Sequence, residues 1–209
     1  MTNWTPDIET LCDDILARPA KGRRRLVALA GPPASGKSTL AEAVVTALKD
    51  TGQTAALVPM DGFHLDNRLL EPMGLLPRKG APETFDALGF VRLVQALATE
   101  DHVAYPVFDR ARDCAIAGAG MVGPDVQTVV VEGNYLLLDR QPWSTLHPFW
   151  DVSMMLSVPM DELRRRLIAR WLHYGLAEND AVARAQGNDL PNAKVVLAGS
   201  RAELIVKSA

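Results

Sequence analysis

The sequence predicts a three-layer α/β domain: a five-stranded, mostly parallel sheet with helices on both faces. Three observations point there. Apolar runs at 26–30, 55–60, 128–133 and 152–158 are unbroken rather than alternating, as strands buried on both faces must be. Longer segments with helical spacing separate them. Between the first run and a helical segment at 40–48 lies Gly31-Pro32-Pro33-Ala34-Ser35-Gly36-Lys37-Ser38-Thr39, which fits G-x-x-x-x-G-K-[ST]. Strand, glycine loop and helix together form a supersecondary unit that cradles phosphate.

The chemistry of that loop is direct. A helix N-terminus leaves backbone N–H groups unpaired, and its dipole is positive there. Gly31 and Gly36 let the chain curl around an anion. Pro32 and Pro33 have no N–H, so the donors run from Ala34 through Ser35, Gly36, Lys37 and Ser38 to Thr39. Lys37 is placed for the β- and γ-phosphates, and the Ser38 hydroxyl for Mg²⁺. ATP and Mg²⁺ are the cofactors expected.

Composition bounds the rest. The chain has 209 residues, 48% of them hydrophobic and 22% charged, with a net charge of −3. A single domain over 1–209 is expected. The charge gives no strong pull toward nucleic acid or a membrane surface, so a small-molecule partner is expected. Arg23-Arg24-Arg25 is too short for a nucleic-acid arm and reads as a solvated lead-in to the first strand. Cys12 on an apolar helical face and Cys114 in a polar loop make neither a disulfide framework nor a zinc site. No apolar run reaches transmembrane length, and the acidic, polar start is unlike a signal peptide, so the cytoplasm is expected.

The elements follow in order. Thr5-Pro6 reads as the cap and first residue of an amphipathic helix carrying Ile8, Leu11, Cys12, Ile15 and Leu16. The second strand, 55–60, stops at Asp61-Gly62-Phe63-His64, where ligands bind in an open parallel sheet. Asp61 is placed to meet a reacting hydroxyl; the alternative is a strand-ending Asp-Gly turn. The segment 63–86 is dense in Gly, Pro and charge, yet holds Leu69, Leu70, Met73, Leu75 and Leu76. It reads as a substrate-covering insertion. A helix with Phe90, Leu93, Val94 and Leu97 comes next. Residues 103–110 read as a short extended piece running into a polar loop, with Asp109, Arg110, Arg112 and Asp113 as acceptor contacts or solvated charges.

The third strand, 128–133, ends in Glu132 and Gly133, and Glu132 stands where a metal-shell carboxylate is placed. After the fourth strand, Pro159-Met160-Asp161 starts a helix with Leu163, Leu167 and Trp171 on its apolar face. Arg166 and Arg170, four apart, share another face. Guanidinium groups there suit a transferring phosphoryl group; a solvated basic face is the alternative. Residues 160–187 read as a helical lid. A short helix through Leu197 and a fifth strand at 203–206 complete the chain. Trp4, Trp143 and Trp150 read as packing residues, and His102 and His147 as ordinary surface or packing residues.

At these residues the chain resembles the P-loop kinase group of uridine kinase, phosphoribulokinase and bacterial pantothenate kinase. Met60-Asp61-Gly62-Phe63-His64 looks like the group's second-strand motif, whose Asp is the base. Arg78-Lys79-Gly80-Ala81-Pro82-Glu83-Thr84-Phe85-Asp86 is similar to the R-K-G-x-P-E-[ST]-[YF]-D stretch of pantothenate kinases. Arg166-Leu167-Ile168-Ala169-Arg170 looks like their arginine-bearing lid helix. Short pantothenate kinase-like, fructose transport system kinase-like proteins are the nearest match. Uridine kinases tend to carry Asp-Ser-Phe-Tyr where this chain has Asp-Gly-Phe-His.

The resemblance implies a P-loop NTPase fold with strand order 2-3-1-4-5. It also implies γ-phosphoryl transfer from ATP to a hydroxyl of a pantothenate-, nucleoside- or sugar-like metabolite, and a homodimer. Lys37, Asp61, Arg166 and Arg170 are the expected catalytic residues, with Ser38 and Glu132 at the metal. His64, Arg78, Lys79, Phe85, Arg110, Glu132 and Tyr135 are expected around the acceptor. Two other classes use the same loop: a regulatory NTPase that works with a protein partner, and a nucleotide-binding module without turnover.

Overall fold

A computed structural model describes residues 4–208. Its main sheet has six strands. Five are parallel: β2 (Arg25–Ala30), β3 (Ala55–Pro59), β6 (Thr128–Gly133), β7 (Val152–Ser157) and β8 (Leu204–Ser208). The sixth, β1 (Trp4–Thr5), pairs antiparallel with the outer edge of β8. Across the sheet the order is β1-β8-β7-β2-β6-β3. The sheet is thus six-stranded and mixed, where the sequence predicts five strands. Two residues ahead of a proline carry no periodic signal, so β1 was not legible. Taken alone, the parallel strands stand second, third, first, fourth and fifth in chain order across the sheet.

Burial on both faces explains the unbroken apolar runs. Leu26, Ala28, Ala30, Val129 and Val131 pack against Phe90 and Val94 of α4 (Ala87–Thr99). Val27, Leu29 and Val130 point the other way, onto α1 (Ile8–Leu16) and α2 (Lys37–Asp50) through Leu11, Ile15, Leu40 and Val44. The α1 start is a correction. Asp7, not Thr5, caps it, its carboxylate accepting from the Thr10 amide at 2.9 Å. An acidic side chain satisfies an orphan amide and favours the positive helix end at once. Asp86 does the same for α4, accepting from the Gly89 amide at 2.8 Å.

A second correction concerns 103–122. The chain forms a hairpin here, β4 (Val103–Asp109) with β5 (Cys114–Val122), as a separate two-stranded sheet. Cys114 therefore lies on a strand, not in a loop. The run of Ala and Gly between Ala115 and Gly120 has weak strand propensity, which hid it. The hairpin lies over the end of β3: the Tyr105 hydroxyl donates to the Leu57 carbonyl at 3.1 Å. Gly62 backs directly onto the Pro106 carbonyl, leaving no room for a Cβ.

The 63–86 segment is ordered by a short helix, α3 (Asn67–Leu70), and by 3₁₀ turns at Met60–Phe63, Leu76–Arg78 and Pro82–Thr84. After β7 come α5 (Met160–His173), α6 (Glu178–Arg184), a π-turn at Ala185–Asp189 and α7 (Leu190–Gly199). Among the described residues no helix is long and apolar enough to cross a membrane.

Candidate active site

Sheet register does the positioning. Leu29 lies beside Glu132, Ala30 beside Gly133, and Pro59 beside Glu132. The neighbouring strands β2, β6 and β3 therefore end nearly level, and the Gly31 loop, Asn134 and Asp61 emerge together at the carboxyl edge. Gly36 caps α2 with φ 93°, a conformation open to glycine, and no side chain caps that helix. Ala34 is also left-handed, at φ 61°. Such a residue is strained by about 1–3 kcal/mol, and strain of this kind clusters at ligand clamps. The result is a curled backbone in front of a 14-residue helix whose dipole favours an anion.

Two carboxylates flank Lys37, and their environments push them apart. Glu132 is buried at 5% exposure; its Oε1 accepts from the Ser38 hydroxyl at 3.2 Å. Burial raises its pKa against the pull of Lys37, and the Asp61 charge adds to the rise. Asp61 goes the other way. Burial would raise it, but Lys37, His64 and Arg110 outweigh burial and hold it below the ordinary carboxylate range. Arg110 Nη2 stands 2.5 Å from Asp61 Oδ2. Asp61 is therefore a firm anion at neutral pH, and Lys37 itself makes no hydrogen bond or ion pair among the described residues.

His64 Nδ1 lies 2.7 Å from the Asp61 carbonyl oxygen. A carbonyl accepts and never donates, so Nδ1 carries the proton and Nε2 keeps a lone pair. The ring lies against Phe85 and Phe108, with centroids at 4.1 and 4.7 Å. Burial lowers its pKa although Asp61 pulls upward, which favours the neutral imidazole.

These groups surround a cavity of about 150 Å³. Of the residues expected at the site, Lys37, Asp61, His64, Lys79, Arg110 and Arg170 line it. Others do not. Glu132 lies beneath, against Ser38. Arg166 Nη1 donates to the Ser35 carbonyl at 3.0 Å while its Nε pairs with Glu162 at 2.6 Å, so it ties α5 to the phosphate loop. Arg78 pairs with Glu83 at 3.7 Å and donates to Asn192 at 3.4 Å, outside the cavity lining. Phe85 is the wall behind His64. Tyr135 is wholly buried, its hydroxyl donating to the Gly80 carbonyl at 2.6 Å. Burial drives its phenol pKa upward, so this hydroxyl holds the 63–86 segment in place and stays neutral. Arg78, Phe85 and Tyr135 thus stand around the cavity, outside its lining.

Sequence reasoning missed Asn134, Trp171 and Arg184. Asn134 lines the cavity at 8% exposure, and its buried Oδ1 has no protein partner. Its place immediately beyond a buried strand was the available signal. Trp171 was read as core from its spacing with Leu163 and Leu167. Those two are buried, but Trp171 turns into the cavity and its Nε1 donates to Asp189 at 2.6 Å. Arg184 also faces the cavity and donates to the carbonyls of Pro77 at 2.7 Å and Lys79 at 3.3 Å.

A phosphate loop on a parallel sheet, a carboxylate at the end of the next strand and an arginine-bearing helix over both define a P-loop kinase. The chain belongs to the P-loop kinase group of uridine kinase, phosphoribulokinase and bacterial pantothenate kinase. It is 56% identical to a crystal structure described as a "putative fructose transport system kinase" from Silicibacter sp. TM1040. That likeness covers 95% of this chain and 98% of the other, with a TM-score of 0.91. It is 38% identical to YggC of Escherichia coli K12, over 88% of this chain and 78% of that one. It is 34% identical to "Putative uridine kinase C227.14" of Schizosaccharomyces pombe, over 81% and 77%. No family model matches the chain.

Proposed function

We propose that the chain is an ATP-dependent, Mg²⁺-assisted kinase that transfers the γ-phosphoryl group to a hydroxyl of a small metabolite. The observation that carries this is one cavity holding Lys37 of the phosphate loop and Asp61, an ionised base at the end of the next strand. A switch that activates water for a protein partner has no need of so enclosed a base. Among the relatives, the likenesses to the proteins described as a putative uridine kinase and a putative fructose transport system kinase extend over most of both chains, which supports the same type of reaction.

The residues fit the nucleotide and its cation. The uncapped α2 start and the curled Ala34–Gly36 backbone suit the phosphates. Glu132 keeps a second buried oxygen, Oε2, with no protein partner beside the Ser38 hydroxyl, an oxygen pair of the kind a hard cation takes. Mg²⁺ held there would neutralise charge on the phosphate oxygens.

In this reading Lys37 and the loop amides hold the β- and γ-phosphates. Asp61 accepts the hydrogen bond of the acceptor hydroxyl. As the acceptor oxygen bonds to phosphorus and the bond to the ADP oxygen breaks, Asp61 takes the hydroxyl proton. His64 Nε2 and the Asn134 amide orient the acceptor. Arg110, paired with Asp61 here, shifts aside to admit it. Arg166 anchors the lid at 160–187 to the loop, Arg170 reaches the transferring group, and the 63–86 segment covers the acceptor. A closed lid keeps water from the phosphoryl group. Reaction and chain both suit the cytoplasm.

ADP release from Mg-ATP, with and without pantothenate, uridine, fructose and pentose phosphates, tests this. Stimulation by an acceptor, lost in Lys37→Ala and Asp61→Asn, is the expected result. Steady hydrolysis indifferent to every acceptor and to Asp61→Asn would refute it.

A further inference from the structure

A wider chamber of about 560 Å³ opens beyond the inner cavity. The two share Arg110, Arg170, Trp171 and Arg184 along their common wall. Pro33 and Lys37 line the inner cavity alone, whereas Leu76, Tyr174 and Leu176 line the outer chamber alone. The nucleotide's phosphates therefore end at the inner cavity, and the outer chamber lies on the acceptor's side.

The charge of that chamber is lopsided. Lys79, Arg110, Arg170 and Arg184 face it, against Asp113 as its carboxylate. Asp113 is taken by Lys79 at 2.9 Å, and Arg110 by Asp61 at 2.5 Å. Arg184 binds the Pro77 and Lys79 carbonyls, which satisfy its N–H groups without cancelling its charge. Arg170 makes no hydrogen bond or ion pair among the described residues. It lies over the rings of Trp171 and Tyr174, at 5.9 and 5.7 Å, while Arg184 lies 5.3 Å over Trp171. Asp189 is near both arginines, but it lines the inner cavity and its Oδ2 is bonded to Trp171. Two guanidinium groups thus share one indole, two positive charges beside the one negative charge of Asp189. Such like charges persist where a ligand supplies the missing anion.

We infer that the phosphoryl acceptor is an acid. Its hydroxyl meets Asp61 in the inner cavity, and its carboxylate or phosphate meets Arg184 in the outer chamber, beside the Arg170 that serves the transferring group. Its apolar part rests on Trp171, Tyr174 and Leu176. This rests on the kinase reading and narrows it: a free sugar or a nucleoside leaves the excess positive charge of Arg170 and Arg184 over Asp189 unanswered.

Matched pairs of acceptors test it with the full chain and Mg-ATP: glycerate against glycerol, pantothenate against panthenol, ribulose 5-phosphate against ribulose. ADP release should favour the acid at least tenfold in kcat/KM in any pair turned over; the three pairs separate carboxylate from phosphate. Arg184→Gln should lower the acid-to-neutral ratio about 10- to 100-fold, the range for a charged hydrogen bond, with Arg184→Lys intermediate and the KM for ATP unchanged. Damage to the fold would lower both members of a pair alike. A neutral member equal to its acid, or an unchanged ratio in Arg184→Gln, overturns the inference and leaves the kinase standing. ATP hydrolysis that depends on Lys37 but responds to no acid or neutral acceptor overturns both.

Discussion

Replacing Gly62 by alanine places a Cβ 2.0 Å from the Pro106 carbonyl oxygen, 2.5 Å from its carbon and 3.1 Å from the Val107 nitrogen. All three are backbone atoms of β4, so no rotamer change relieves the contact. Ordinary contact begins near 3.4 Å, and β4 must therefore retreat by about 1.4 Å, the difference between the two distances. That motion carries Phe108 away from His64 and Arg110 away from Asp61. A displacement of about 1 Å at a reacting centre costs on the order of 100-fold in rate. Overpacking costs about 1–3 kcal/mol, which for a chain of this length lowers Tm by roughly 2–12 °C. We therefore expect Gly62→Ala to remain folded, melt earlier in a thermal scan, and lose about 100-fold in acceptor-dependent kcat/KM, with ATP binding little changed. Wild-type kinetics and melting in this variant would refute the reasoning.

Other predictions concern single groups. Asp61→Asn should lower kcat about 10²- to 10⁴-fold while nucleotide binding, followed by calorimetry, persists. The depressed Asp61 pKa keeps it ionised to low pH, so the acid limb of kcat/KM should be set first by Glu132, which burial raises above the ordinary carboxylate value and which Arg110 pulls down. Arg110→Gln removes one cation and should move that acid limb upward; an unmoved limb would deny Arg110 its influence. For stability, the Asp61–Arg110 pairing stabilises the fold fully above the unfolded carboxylate pKa and is lost as pH falls through the lower folded value. Tyr135→Phe should cost about 1 kcal/mol in denaturant unfolding, for its bond to Gly80, and leave acceptor KM unchanged. Asn134→Leu, which removes an unpartnered buried amide, should raise acceptor KM without lowering Tm.

What could be read from sequence followed from local chemistry. The phosphate loop is a contiguous pattern, and unbroken apolar runs announce buried parallel strands, so the nucleotide half was legible. The places of Asp61 and Glu132 at adjoining strand ends were legible because apolar runs stop at them. The acceptor half was harder. Arg184 and Arg110 come from distant segments that only tertiary packing brings beside Trp171 and Asp61. β5 was hidden by alanine and glycine, whose propensities contradict the strand they form. The Tyr135 hydroxyl is bonded to the Gly80 carbonyl, 55 residues away in the chain, a partner that only tertiary packing reveals.

The β4–β5 hairpin is hydrogen-bonded as a sheet of its own and meets β3 through the Tyr105–Leu57 contact and the close approach at Gly62. Two-stranded ribbons are only marginally stable by themselves. The nucleotide half is thus built on a six-stranded platform, and one wall of the acceptor half on a separate ribbon pinned into the core by Val103 and Val122. That division makes acceptor choice portable. A ribbon of different sequence at 103–122 could be grafted onto the same platform and change what is phosphorylated while the phosphate donor site stays as it is.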